Sequence, residues 1–130
     1  MRETLLGALM ALTITTTNAA VEDTNSADFM LPFCRLTPKE MSGDINKASN
    51  HGRCLGIVEG ISRMFSLLQE AQAAGAARLD PLLCTSIPPD LTNEQLASVV
   101  VKYGEAFPEL THRPFTVVAM SAMRLAWPCK

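Results

Sequence analysis

The chain has 130 residues, of which 48% are hydrophobic and only 5% aromatic, with a formal charge of −2. This length allows one domain. A slight acidic excess without a basic stripe argues against nucleic acid as a partner, and the lack of a second apolar span argues against membrane insertion.

Residues 1–19 read as a secretory signal, leaving 20–130 as a single helical domain. Arg2 supplies a minimal positive start, and the apolar run from Leu5 to Ile14 is too short to span a bilayer. Thr17-Asn18-Ala19 offers small residues for cleavage after Ala19 or Ala20. A core helix here is disfavoured by Thr13, Thr15, Thr16 and Thr17, which are poor helix formers. Losing Arg2 and Glu3 with this segment keeps the charge at −2. The remaining ~110 residues support one core of modest size. Four cysteines, at 34, 54, 84 and 129, with no Cys-x-x-Cys pair, point in an exported chain to structural disulfides rather than a zinc or redox centre.

In chain order, VEDTNSA (21–27) is a polar lead-in. Ser26 is placed to cap a short helix through Asp28, Phe29, Leu31 and Phe33 to Cys34. Pro32 limits that helix to a kinked or two-turn element. Residues 37–50, with Pro38, Gly43 and Asp44 and no lasting period, read as a loop. The central helix is expected from Asn50 to Ala74, with Cys54, Ile57, Val58, Ile61, Met64, Phe65 and Leu68 as its apolar stripe and Gly75 as its C-cap. Gly56 and Gly60 inside it each cost about 1 kcal/mol of helix propensity. Close packing against another helix, in this chain or in a partner chain, would compensate.

The stretch from Cys84 to Cys129 reads as a helical hairpin. Thr92 stands three residues before Gln95, a capping-box spacing, directly after Pro88 and Pro89. Leu96, Val99, Val100, Tyr103 and Phe107 form the expected core face of the first helix, opposite Asn93, Glu94, Ser98 and Lys102. Gly104 and Pro108 are expected to end it. A second helix is expected from Thr111, with Pro114 in its first turn and a stripe of Phe115, Val118, Ala119, Ala122, Leu125 and Ala126, until Pro128 stops it. The fold class is therefore all-α, a small disulfide-stapled bundle of about four helices.

Helix direction selects among the three possible cysteine pairings if the main helices pack as antiparallel neighbours joined by short loops. With the start of the central helix at the bottom, Cys54 lies at the bottom and Cys84 at the top. The next two helices run down and back up, which brings Cys129 to Cys84 and leaves Cys34 for Cys54. Loop closure by these bridges contributes roughly 3 and 4 kcal/mol before strain is subtracted.

No reactive constellation is visible. His51 and His112 read as exposed residues at loop-to-helix junctions, with no histidine at i+4 to complete a metal pair. Cysteines committed to disulfides have no thiolate to offer, and no nucleophile elbow or phosphate loop is present. The chain reads as a non-enzyme without metal or cofactor.

The order Cys54-Leu55-Gly56-Ile57-Val58-Glu59-Gly60, then Cys84, then Val99-Val100-Val101-Lys102-Tyr103, a turn containing Pro108, and a terminal Trp127-Pro128-Cys129 resembles the Rap/Tai family over about Phe33 to Cys129. These are periplasmic immunity proteins against type VI secretion amidases. The resemblance implies an exported, disulfide-stabilised helical homodimer that binds and occludes a peptidoglycan amidase effector without chemistry of its own. The expected partner surface is the turn with Glu105, Phe107, Pro108, Glu109 and Leu110. Its acids would address a basic rim and Phe107 or Leu110 an apolar pocket. Competing readings are a periplasmic helical chaperone or stress protein, and an orphan member of the immunity fold.

Overall fold

A computed structural model describes residues 23–76, 80 and 83–129; the predicted signal segment lies outside the described residues. Helix α1 spans Ala27–Cys34, and the Ser26 hydroxyl accepts the Phe29 N–H at 3.3 Å, as its capping position requires. Pro32 is tolerated within these eight residues because it and Asp28, whose carbonyl the missing N–H would have met, both lie on the exposed side. The opposite side carries Ala27, Met30, Leu31 and Cys34 into the core.

The expected loop 37–50 is instead mostly helical. Pro38–Met41 forms a one-turn helix, α2, closed by a reciprocal capping box between Thr37 and Glu40. Asp44 then caps a long helix, α3, by accepting from the N–H groups of Asn46 (3.1 Å) and Lys47 (3.0 Å). Helix α3 runs Ile45–Ala73, starting five residues before the expected point. Its first turns are largely exposed, with Ile45 at 83%, so they show no apolar period. The caps alone mark the start.

Deeper in α3, Cys54, Val58, Ile61 and Phe65 enter the core, while Met64, assigned to the stripe, lies at the surface. The helix ends in a Schellman arrangement. The Ala76 N–H bonds the Ala71 carbonyl at 2.9 Å and the Gly75 N–H bonds Gln72 at 3.0 Å. This needs a left-handed residue at Gly75, which has φ +71°; Ala74 is the cap itself.

Helix α4 spans Asn93–Ala106 with the expected Thr92–Gln95 capping box. Its buried face is Leu96, Ala97, Val100, Val101 and Gly104, rotated from the expected one so that Val99, Tyr103 and Phe107 are only half-buried. Gly104 does not end the helix but packs inside it.

Helix α5 spans Phe115–Ala126, not from Thr111. The Phe115 N–H, which would have met the Thr111 carbonyl, bonds Asn25 at 2.7 Å instead; the Thr111 and Arg113 carbonyls accept from Asp28 (2.8 Å) and Ala27 (2.9 Å). The start of α1 thus takes the groups that a longer α5 would have used. The buried side of α5 is Phe115, Val118, Ala119, Ala122 and Met123, whereas Leu125 (63% exposed) and Ala126, assigned to the core, face outward.

Helices α1, α3, α4 and α5 pack on one another around Met30, Val58, Phe65, Val100, Phe115 and Met123, all essentially without solvent contact, and α2 rests on α3. The architecture is an all-α bundle of five α-helices among the described residues, the addition to the expected four being α2. Both disulfides form in the deduced pairing, Cys34–Cys54 with Cα atoms 5.5 Å apart and Cys84–Cys129 at 5.6 Å. Thr85, fully buried beside the second bridge, donates its hydroxyl to the Trp127 carbonyl at 2.7 Å, and its own carbonyl accepts from the Gln69 side-chain amide.

Candidate functional site

The junction between α4 and α5 is a short, heavily bonded surface turn. Phe107 caps α4 through its N–H to Tyr103 (3.0 Å), and Pro108–Leu110 then forms one 3-10 turn. Within it the Leu110 N–H bonds Phe107 at 3.0 Å, and the Thr111 hydroxyl bonds the Pro108 carbonyl at 2.8 Å. Residues 111–115 are tied to the start of α1 by the three backbone bonds already described. That strand of contact is held in turn by Arg53 of α3, whose guanidinium donates to the Thr24 carbonyl (3.0 Å) and the Asn25 side chain (2.6 Å). A turn fixed from both sides loses little entropy when a partner binds it.

The five residues expected to meet a partner differ in placement. Pro108 and Glu109 are exposed, and Leu110 is half-buried. Glu105 is exposed and pairs with Arg35 at the end of α1 at 3.1 Å, so that acid carries a cation beside it. Phe107 packs against Tyr103 with ring centroids 4.8 Å apart and ring planes tilted by 43°. It also borders an open groove of about 680 Å³ with Tyr103, Arg124, Leu125 and the Cys84–Cys129 bridge. The structure thus joins the turn to two groups missed in sequence. Arg35 lies 70 residues from Glu105, so no local pattern links them, and Leu125 was concealed by its helical spacing.

Other sequence candidates fall elsewhere. His51 lies inside α3, not at a junction, with Nδ1 2.8 Å from the Phe33 carbonyl and its ring half-buried; His112 is exposed near the turn. Among the described residues, no group of three His, Cys, Asp or Glu side chains is placed to hold a metal ion, and no helix is long and apolar enough to cross a membrane. Gly56 and Gly60, together with Gly52, make an exposed stripe along α3, and no atom from the rest of the described chain would lie within 4 Å of a β-carbon on any of them.

Two comparisons, one with curated proteins and one with solved structures, return no match. Residues 26–129, which include α1 to α5 and both disulfides, match the sequence profile of the Rap1a immunity proteins, and the chain belongs to that family.

Proposed function

We propose that the protein is exported to the periplasm, where it binds and occludes a peptidoglycan amidase delivered by the type VI secretion system of a neighbouring cell. The family match over 26–129 carries this reading. The rigid turn at the α4–α5 junction agrees with it, since it presents Pro108 and Glu109 to solvent with Phe107 and Leu110 at its base. A turn of this kind acts by filling a cleft, with an apolar anchor at its centre and charges at its rim. The working form is a homodimer, for which the bare glycine stripe on α3 offers an approach surface.

The test is co-expression of the full chain with the amidase encoded beside its gene, directed to the periplasm. Cell survival and a co-eluting complex are the expected outcome. Lysis at the rate of unprotected cells overturns the reading, and binding to many unfolded clients as pH falls would support a chaperone instead. N-terminal sequencing of the periplasmic protein should begin at residue 20 or 21, matching cleavage after Ala19 or Ala20.

A further inference from the structure

The two disulfides differ in what a reductant can reach. Cys34 is 7% exposed and Cys54 fully buried, both within the core between α1 and α3. Cys84 and Cys129 are each half-buried, and both line the open groove that also contains Phe107 and Leu125. Thiol–disulfide exchange begins when a thiolate attacks one sulfur and expels the other, so its rate depends on access to the bond. Cys34 does border a second, smaller hollow beneath Pro38 and Met41. Its partner sulfur, however, sits on a residue with no solvent contact, so this bridge offers a thiolate only the barely exposed Cys34 side.

We propose that Cys84–Cys129 is a separately reducible latch, opened by a dithiol in the folded protein while Cys34–Cys54 stays oxidised. One thiolate of the dithiol adds to a sulfur of the bridge and releases the other as a thiolate. The second reagent sulfur then displaces the bound protein sulfur. Two electrons and two protons pass to the protein, leaving two cysteine thiols and one oxidised dithiol.

The surrounding bonds let the bundle survive this step. The Thr85 hydroxyl and the Ser86 N–H (2.8 Å) still hold the Trp127 carbonyl, and the Gln69 amide still holds the Thr85 carbonyl. Reduction removes the covalent tie on the end of the chain, leaving the backbone bridge between Thr85 and Pro128, and loosens one wall of the groove beside Phe107. The redox state of this bridge therefore bears on the surface next to the α4–α5 turn. Accessibility sets the order in which the two bridges open, whichever partner that turn meets.

The experiment treats the purified, oxidised protein with dithiothreitol at neutral pH without denaturant. Samples are alkylated at intervals, mapped by peptide mass spectrometry and followed by far-ultraviolet circular dichroism. Labelling of Cys84 and Cys129 is expected at least roughly tenfold faster than labelling of Cys34 and Cys54, with the helical signal retained. Four cysteines labelled together, Cys34 and Cys54 labelled first, no labelling before denaturant is added, or helix lost in step with labelling would each overturn the proposal. As a second measurement, a Cys84→Ser/Cys129→Ser variant should show Cys34 and Cys54 still resistant to the same reagent. Rapid labelling of that core pair in a variant that retains the helical signal would count against the latch, and if the variant does not fold, the native time course decides alone.

Discussion

Gly104 of α4 lies against Leu31 of α1 with no room for a side chain: a β-carbon built on the glycine would overlap Leu31 Cδ1. Both residues are buried. Gly104→Ala forces Leu31 to move within a packed core, at about 1–3 kcal/mol, and regains about 1 kcal/mol of helix propensity. A net loss of roughly 1 kcal/mol is expected as a lower urea midpoint at unchanged slope. A stabilised variant would show that Leu31 has space to turn aside.

Among the described residues, nothing packs against the stripe of Gly52, Gly56 and Gly60. Gly56→Ala and Gly60→Ala should each raise the stability of the single chain by about 0.5–1 kcal/mol. Light scattering of the native protein at micromolar concentration should give twice the chain mass, and Gly56→Leu/Gly60→Leu should give one chain mass with unchanged helix content. A native monomer removes the dimer; a dimeric double variant moves its interface off this stripe.

The Arg35–Glu105 pair is more than half exposed on both sides, and such pairs contribute less than about 1 kcal/mol. Glu105→Lys and Glu109→Lys should therefore leave the circular dichroism spectrum intact. Protection against the amidase should fall sharply in the double variant. Full protection by a folded double variant would reject the turn as the occluding surface.

Thr85 has no solvent contact, and its hydroxyl reaches the Trp127 carbonyl at 2.7 Å. Thr85→Val keeps the shape and removes one of two donors to the Trp127 carbonyl, leaving it the Ser86 N–H at 2.8 Å. The expected cost is about 0.5–1.5 kcal/mol in denaturant unfolding, with both disulfides still formed. An unchanged midpoint would mean that water replaces the lost donor.

Glu59 of α3 accepts from Arg63 Nε (2.8 Å) and Nη2 (2.7 Å) and from Asn93 Nδ2 at the start of α4 (3.0 Å). The Arg63 hydrogen bond, then that of Asn93, holds its carboxyl below the usual glutamate range. A depressed acid stabilises the fold above its unfolded-state pKa and loses that contribution as pH falls through the folded-state value. Melting temperature should decline on acidification between about pH 5 and 3, and Glu59→Gln should decline less. Equal slopes in the two proteins would assign the acid sensitivity to other groups.

By itself, the sequence determined the helical class, the caps at Ser26 and Thr92, the stop at Gly75 and the cysteine pairing. Each rests on chemistry within one turn of helix or on the direction in which helices must run. The same local logic, applied to Thr37, Glu40 and Asp44, would also have located α2 and the true start of α3. Their exposed turns lack an apolar period, so the caps are the sole local mark of both helices. Only the tertiary structure decided which side of each helix is buried. A shift of one residue turns a helix face by about 100°, and α4 lies with Ala97, Val101 and Gly104 inward because Leu31 of α1 fills the space above the glycine. Leu125 has the spacing of a core residue yet faces water, and Phe107 serves both as the cap of α4 and as the edge of a groove. Which hydrophobic residue is covered depends on where the neighbouring helix stands, and that position is set by contacts between residues as far apart as Asn25 and Phe115 or Thr85 and Trp127.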